Sequence, residues 1–159
     1  MKPCILNNTG LFHLLRSMKI FARVFFILFF PLSLIAQTKS IDQVKAALDG
    51  QVKAWNTGRL EDSMAYFYNS DSLLWVSRAG IEKGYQPILG NYLEDFADRS
   101  KMGTYSYEPL YIELLSSKSV YYVYRWKIEL NGKKLRGGVS SQIWKKSNKR
   151  WLIFIEHFS

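Results

Sequence analysis

The chain is poor in the residues that carry most site chemistry. Among 159 residues it has one cysteine, Cys4, and two histidines, His13 and His157. A single cysteine next to the N-terminus forms no disulfide within the chain and brings no thiol chemistry to a distant folded domain. Two isolated histidines give no ligand cluster of the kind that binds zinc, so no metal and no cofactor is expected. There is no glycine-rich phosphate loop and no G-x-S-x-G nucleophile elbow around Ser140 or Ser141. Internal repeats and low-complexity tracts are absent as well.

What is there is apolar and aromatic: 48% hydrophobic residues and 16% Phe, Trp and Tyr. That is a globular composition, and the length fits one domain. The first 36 residues read differently. Lys19 and Arg23 precede an almost wholly apolar run from Val24 to Leu34, and Ala36 then offers a small residue before Gln37. Basic stretch, short apolar stretch and small residue make a secretory signal peptide. The run is short of the ~20 residues that span a bilayer comfortably, which leaves an uncleaved anchor as the alternative. Residues 1–17 form an upstream extension, and Met18 is a second possible start. Cleavage after Ala36 sends a periplasmic or secreted domain, residues 37–159, into solution, with no membrane association of its own. Cys4 leaves with the leader, so this domain relies on its core alone, which about 120 residues can supply.

The formal charge of +9 overstates the basicity of that domain. Lys2, Arg16, Lys19 and Arg23 lie in the leader; without these four of the 22 basic side chains, 18 face 13 acidic ones, a net of +5. The densest basic group, Lys145, Lys146, Lys149 and Arg150, flanks a turn. Nucleic acid would require a basic face interleaved with exposed aromatics, and none is legible.

Ser40-Ile41-Asp42-Gln43 has the form of a capping box, with Ser40 as N-cap. Ile41, Val44, Leu48, Val52 and Trp55 then follow at spacings of three and four, one helical stripe. Gly58 supplies the left-handed residue that ends it. A second helix is expected over Leu60–Tyr68, and a third from Tyr85 with Pro87 in its first turn. Between them lie a strand, Ser72–Ser77, and a brief strand near Ile81–Lys83. From Thr104 the pattern is β throughout: Thr104–Leu115, Val120–Leu130, Leu135–Lys146 and Arg150–Phe158. Tight turns separate these segments, Asn131-Gly132 the clearest, and imply a four-strand antiparallel meander. The Gly137-Gly138 pair suggests a bulge or bend. The fold class is therefore α+β, three helices packed on one face of a curved antiparallel sheet, with any pocket between the layers.

The run Ala54-Trp55-Asn56-x-Gly58-x-Leu60, a short aromatic-rich helix and Asp71-Ser72 leading a strand together resemble the NTF2-like superfamily. The ending Trp151-x-Ile153-x-x-Glu156-His157-x-Ser159 is similar to its SnoaL-like, DUF4440-type branch. The resemblance covers nearly all of residues 37–159. It implies a cone-shaped fold with a pocket inside, a central last strand, and a homodimer formed through the outer sheet face.

Strict alternation along the last strand puts Trp151, Ile153, Ile155 and His157 on one side, and Leu152, Phe154, Glu156 and Phe158 on the other. If the first set faces inward, His157 looks into the pocket as a general base or a donor to a ligand. The alternative is a structural histidine, bonded to a backbone carbonyl or to Asp71. Asp71 either orients His157 or caps a turn. Ser140 or Ser141 with His157 and Asp71 would supply the residue types of a triad. Trp55, Trp75, Tyr92, Tyr105, Tyr124 and Trp126 either wall a ligand cavity or simply form core. Enzymes of the resembled superfamily of the ketosteroid-isomerase kind carry a carboxylate near the end of the first strand, where this chain has Leu73-Leu74-Trp75-Val76-Ser77. The Arg between two Asp of limonene-epoxide-hydrolase-like members is absent too. Three readings stand: a binding domain for a small, partly apolar molecule; a cofactor-independent hydrolase, isomerase or dehydratase using His157; or a protein-interaction module with a filled cone. A cavity of about 300 Å³ or more favours the first two.

Overall fold

The computed structural model describes residues 37–159, within which Lys39–Ser159 forms a compact unit. The signal peptide expected over residues 1–36 lies outside the described residues. No helix of the described residues is long and apolar enough to cross a membrane.

Helix α1 occupies residues 37–56. Val44, Leu48 and Trp55 of its stripe are buried. Ser40 lies within the helical residues and does not open them. Gln43 reaches the sheet instead of back along its own helix: its Oε1 accepts from the Trp151 indole at 3.0 Å and from Lys146 at 3.4 Å. Gly58 ends the helix at φ +72°. Just before it, Asn56 acts as a strand would, donating to the Tyr105 carbonyl at 2.9 Å and accepting from its N–H at 2.7 Å.

Helix α2, Leu60–Met64, is shorter than the apolar pattern suggests. Its continuation pairs with the last strand: Phe67 bridges Ile153, and Tyr68 N–H donates to the Ile153 carbonyl at 2.8 Å. Strands β1, Leu74–Ser77, and β2, Gly80–Lys83, follow. Helix α3, Tyr85–Asp95, buries Ile88 and Tyr92, and a 3-10 turn at Arg99–Lys101 leads to the large strands. These are β3, Thr104–Ser116; β4, Ser119–Leu130; β5, Lys133–Ser147; and β6, Arg150–Phe158.

All six strands join one sheet, in the order β2-β1-β6-β5-β4-β3. The meander is present, but the sheet is mixed and not antiparallel throughout. β1 runs parallel to β6, with Leu74 opposite Ile155, Trp75 opposite Glu156 and Val76 opposite His157. Tight turns specify only strands that follow one another; β1 and β6 are separated by a helix and four strands, so no turn fixes their sense.

Asn131 at φ +52° and Gly132 at +74° form the expected β4–β5 turn. The irregularity of β5 falls on Leu135, the residue without a partner between Ile128–Arg136 and Glu129–Lys134, and not on the glycines. Gly137 and Gly138 pair regularly; a Cβ on Gly138 would strike the Ser159 carbonyl, and one on Gly137 would lie 2.8 Å from the Trp126 carbonyl. Three more irregularities bend the sheet, at Leu110 and Leu115 in β3 and at Phe154 in β6. Helices and sheet share one core that includes Leu48, Leu60, Met64, Ile88, Tyr122, Trp144 and Ile153.

Candidate functional site

The bulge at Phe154 decides what faces the helices. Trp151 and Ile153 of β6 are buried as alternation requires. Ile153 then pairs with Trp144 while Ile155 pairs with Ile143, so Phe154 has no partner and the parity reverses. Past it, Glu156 and Phe158 face the interior cavity. His157 is exposed, paired between Val76 and Ser141 on the other sheet face, and does not line the cavity. The assignment of His157 to the pocket is therefore corrected: the extra residue moves its neighbour, Glu156, into that place.

Asp71 does not orient His157. It sits exposed in the turn that precedes β1, whereas His157 lies beside Val76 near the other end of that strand. The triad residue types are not assembled. Ser141 shares the outer face with His157, while Ser140 is buried on the inner face.

The cavity between helices and sheet has a volume of about 170 Å³. Trp55, Trp75, Tyr92, Tyr105 and Trp126 line it, together with Phe67, Phe96 and Phe158. Neighbouring rings touch in sequence around the wall: Trp126–Tyr105 at 6.0 Å between centroids, Tyr105–Trp55 at 6.1 Å, Trp55–Tyr92 at 5.6 Å, Tyr92–Trp75 at 5.6 Å and Trp75–Phe158 at 5.7 Å. Tyr124 is not a wall residue. It is 1% exposed and lies behind the wall, where its hydroxyl serves Glu156.

Glu156 is the polar centre of this aromatic box, only 8% exposed. Its Oε1 accepts from Gln142 Nε2 at 2.9 Å and from the Tyr124 hydroxyl at 3.2 Å. Gln142 also donates to the Tyr124 oxygen at 2.8 Å, and its own Oε1 accepts from the Trp144 indole at 2.9 Å. Burial pushes the Glu156 carboxyl above the ordinary carboxylate range; the bonds from Gln142, Tyr124 and Ser140 oppose that rise without cancelling it. Gln142 and Tyr124 both donate to Oε1. Burial also drives the Tyr92, Tyr105 and Tyr124 hydroxyls well above their usual pKa, so they stay neutral donors.

Other polar groups stand around the cavity: Gln51 from α1, Glu82 from β2, Asn91 and Asp95 from α3, and Arg136 from β5. Asn91 donates to Glu82 at 2.8 Å, and the Arg136 guanidinium lies over the Phe96 ring at 5.7 Å. The indole N–H groups of Trp55, Trp75 and Trp126 and the Gln51 Oε1 are buried with no hydrogen-bond partner among the described residues. Each such group left unpaired costs about 1–3 kcal/mol. Among the described residues, no three His, Cys, Asp or Glu side chains converge closely enough to hold a metal ion.

Sequence reasoning identified the aromatic wall and missed Glu156, Gln142 and the polar groups of α3, β2 and β5. The Glu156-His157 pair was visible as a motif, but the bulge that selects between its members was not.

A half-cone of helices over a bent mixed sheet, closed on an aromatic pocket with one buried carboxyl, defines a class of small α+β pocket domains. The fold is that of NTF2-like proteins. The chain is similar to an NTF2-like protein of unknown function from Shewanella oneidensis, at 26% identity and a TM-score of 0.71, covering 74% of this chain and 97% of that one. An NTF2-like protein of unknown function from Pseudomonas putida shares the fold at 11% identity and a TM-score of 0.63, covering 77% and 87%. An NTF2-like superfamily protein from Salmonella enterica does so at 18% identity and 0.57, covering 77% and 92%. No family model matches the sequence, and neither does any curated protein.

Proposed function

We propose that the protein is an exported, SnoaL-like ligand-binding domain that takes a small, partly apolar molecule into the cavity between its helices and sheet. The observation that carries this is the aromatic box around Glu156. Its volume, about 170 Å³, is below the roughly 300–1,000 Å³ of pockets for drug-sized ligands. It is close to the ~150 Å³ of an apolar cavity that accepts benzene. The guest is therefore about the size of a single ring, smaller than the sequence led us to expect. A cavity of this volume also weighs against a module whose cone is packed solid.

The test uses the protein's own chromophores. Three of the five tryptophans line the cavity. Phenol or indole at millimolar concentration should quench or shift their emission saturably, and native mass spectrometry of protein from its own host should show a co-purifying small molecule. No saturable response to any single-ring compound, with no added mass, overturns the ligand reading.

A second reading, catalysis, is favoured by the geometry of Glu156. A buried carboxyl on the cavity wall, with Oε1 held by Gln142 and Tyr124, has the form of a general acid–base. In that case the role first given to His157 falls to Glu156, and Glu156→Gln abolishes turnover while His157→Ala does not.

Export is proposed on Lys19, Arg23 and the apolar run Val24 to Leu34. N-terminal sequencing of protein expressed with its leader in a Gram-negative host should find Gln37 near the terminus, in the periplasm. An intact Met1 or Met18 on soluble cytoplasmic protein refutes it.

A further inference from the structure

Around the cavity, three carboxylates meet one guanidinium. Glu82, Asp95 and Glu156 line it, and Arg136 is the one basic residue beside them. None of the four takes part in an ion pair among the described residues; the pairs that form there are Arg59–Asp62, Lys101–Asp98, Arg125–Glu108 and Lys127–Glu129. A domain with 18 basic and 13 acidic side chains, net +5, thus lines this cavity with an excess of acid. The single cation is also badly placed to bind a guest at depth, because Arg136 is exposed and its guanidinium is spent on the Phe96 ring. Glu156, by contrast, is buried, on a cavity that Trp55, Trp75, Tyr92 and Trp126 also line.

Aromatic walls with a buried carboxylate suit one kind of ligand head above others. Ring faces attract cations through their quadrupole, most strongly once water is excluded, and this is how aromatic cages take organic ammonium groups. A buried carboxyl that lacks a cationic partner is completed by such a head. An anion would meet Glu156 and the other two carboxylates of the cavity.

We infer that the ligand is a small organic cation, an amine or quaternary ammonium on an apolar body about the size of one ring, with its charged head against the Glu156 carboxyl. This rests on the ligand-binding reading above. It has a further consequence, since the buried carboxyl favours its proton when the cavity holds no charge: an entering cation displaces that proton. The charged and titratable groups around Glu156 are Tyr124 on β4, Tyr105 on β3, Tyr92 and Asp95 on α3, Glu82 on β2 and Arg136 on β5. The tyrosines stay neutral in the range concerned. The remaining three are at or near the exposed side of the cavity.

The experiment compares three probes of nearly equal size by calorimetry and tryptophan emission: benzylammonium, benzyl alcohol and benzoate. Benzylammonium should bind at least about tenfold tighter than benzyl alcohol, with benzoate weakest. Its affinity should rise with pH above the ordinary carboxylate range, and its heat should depend on the buffer, reporting proton release. Glu156→Gln, its fold checked by near-ultraviolet dichroism, should erase the preference for the charged probe. Equal affinity for benzyl alcohol, or tighter binding of benzoate, overturns the cation inference while the pocket reading stands. A preference that survives Glu156→Gln overturns the role of Glu156. If none of the three binds, the pocket reading itself fails.

Discussion

Gln142 and Glu156 face each other across β5 and β6, and one Gln142 amide group holds the Glu156 carboxyl and the Tyr124 hydroxyl together, at 2.9 and 2.8 Å. The orientation of that amide is set from behind, since its oxygen accepts from the fully buried Trp144 indole. Four side chains from three strands therefore form one hydrogen-bonded chain that aims Glu156 Oε1 into the sheet.

Gln142→Leu should break the chain at its centre. The Trp144 N–H loses its acceptor and Glu156 Oε1 loses a donor, at about 1–3 kcal/mol for each buried group left unpaired. The loss of a bond that favours the ionised form should also raise the Glu156 pKa further. Denaturant melts, with the Glu156 carboxyl followed by carbon NMR, measure both. A variant as stable as wild type, with an unmoved carboxyl, would show that the network does not hold Glu156.

His157→Ala should change stability by no more than about 0.5 kcal/mol, the usual scale of an exposed substitution. It should leave probe binding unchanged. Trp55, 5% exposed and in contact with Tyr92, Phe96 and Tyr105, is the contrast. Trp55→Ala should cost about 3–5 kcal/mol and reshape the cavity. If the two variants melt alike, the placement of His157 on the outer face is wrong.

Most of the fold was legible because local signals carry it. Period-three and period-four apolar spacing gave α1 and α3, positive-φ residues marked their turns, and Arg150–Phe158 was bounded at both ends by sequence alone. Two things were not legible, for one physical reason. The parallel pairing of β1 with β6 and the extra residue Phe154 are both properties of a strand pair, and neither has a signature within one strand. A one-residue change of register exchanges the faces of everything beyond it. That is why strict alternation, which groups His157 with Trp151 and Ile153, fails past Phe154. The aromatic wall survived the error, since Trp55, Trp75, Tyr92, Tyr105 and Trp126 all lie outside β6.

Val123→Glu tests the proposed homodimer. Val123 pairs with Tyr111 of β3 on one side and Ser141 of β5 on the other, on the sheet face opposite Tyr122 and Tyr124. Beside it, Tyr111 is half exposed and Arg125 pairs with Glu108 at 2.7 Å. A mixed face of this kind suits a modest two-fold contact, in which one substitution acts twice. Wild type should sediment as a dimer at micromolar concentration and the variant as a monomer, with unchanged dichroism. A wild type that is monomeric at high micromolar concentration removes the dimer.

Glu156→Gln gives the clearest pH signature. In wild type the folded state holds the Glu156 proton more tightly than the unfolded chain, because burial raises its pKa above the ordinary carboxylate range. Stability contributed by this group is therefore complete below the unfolded pKa and is lost as pH rises toward the folded one, where the charge must be kept in a desolvated site. Glutamine keeps an oxygen for the Gln142 and Tyr124 donors and has no proton to lose. The difference in unfolding free energy, wild type minus variant, should then fall steadily as pH rises from about 4, near the ordinary carboxylate pKa, and level off once Glu156 is ionised in both states. Because the other carboxylates titrate identically in the two proteins, the difference isolates Glu156. Urea melts at half-unit pH intervals from 4 to 8 measure it. A flat difference means that Glu156 is not shifted, and a difference that grows with pH means that its carboxylate is stabilised and not penalised, which would remove the basis for proton release on cation binding.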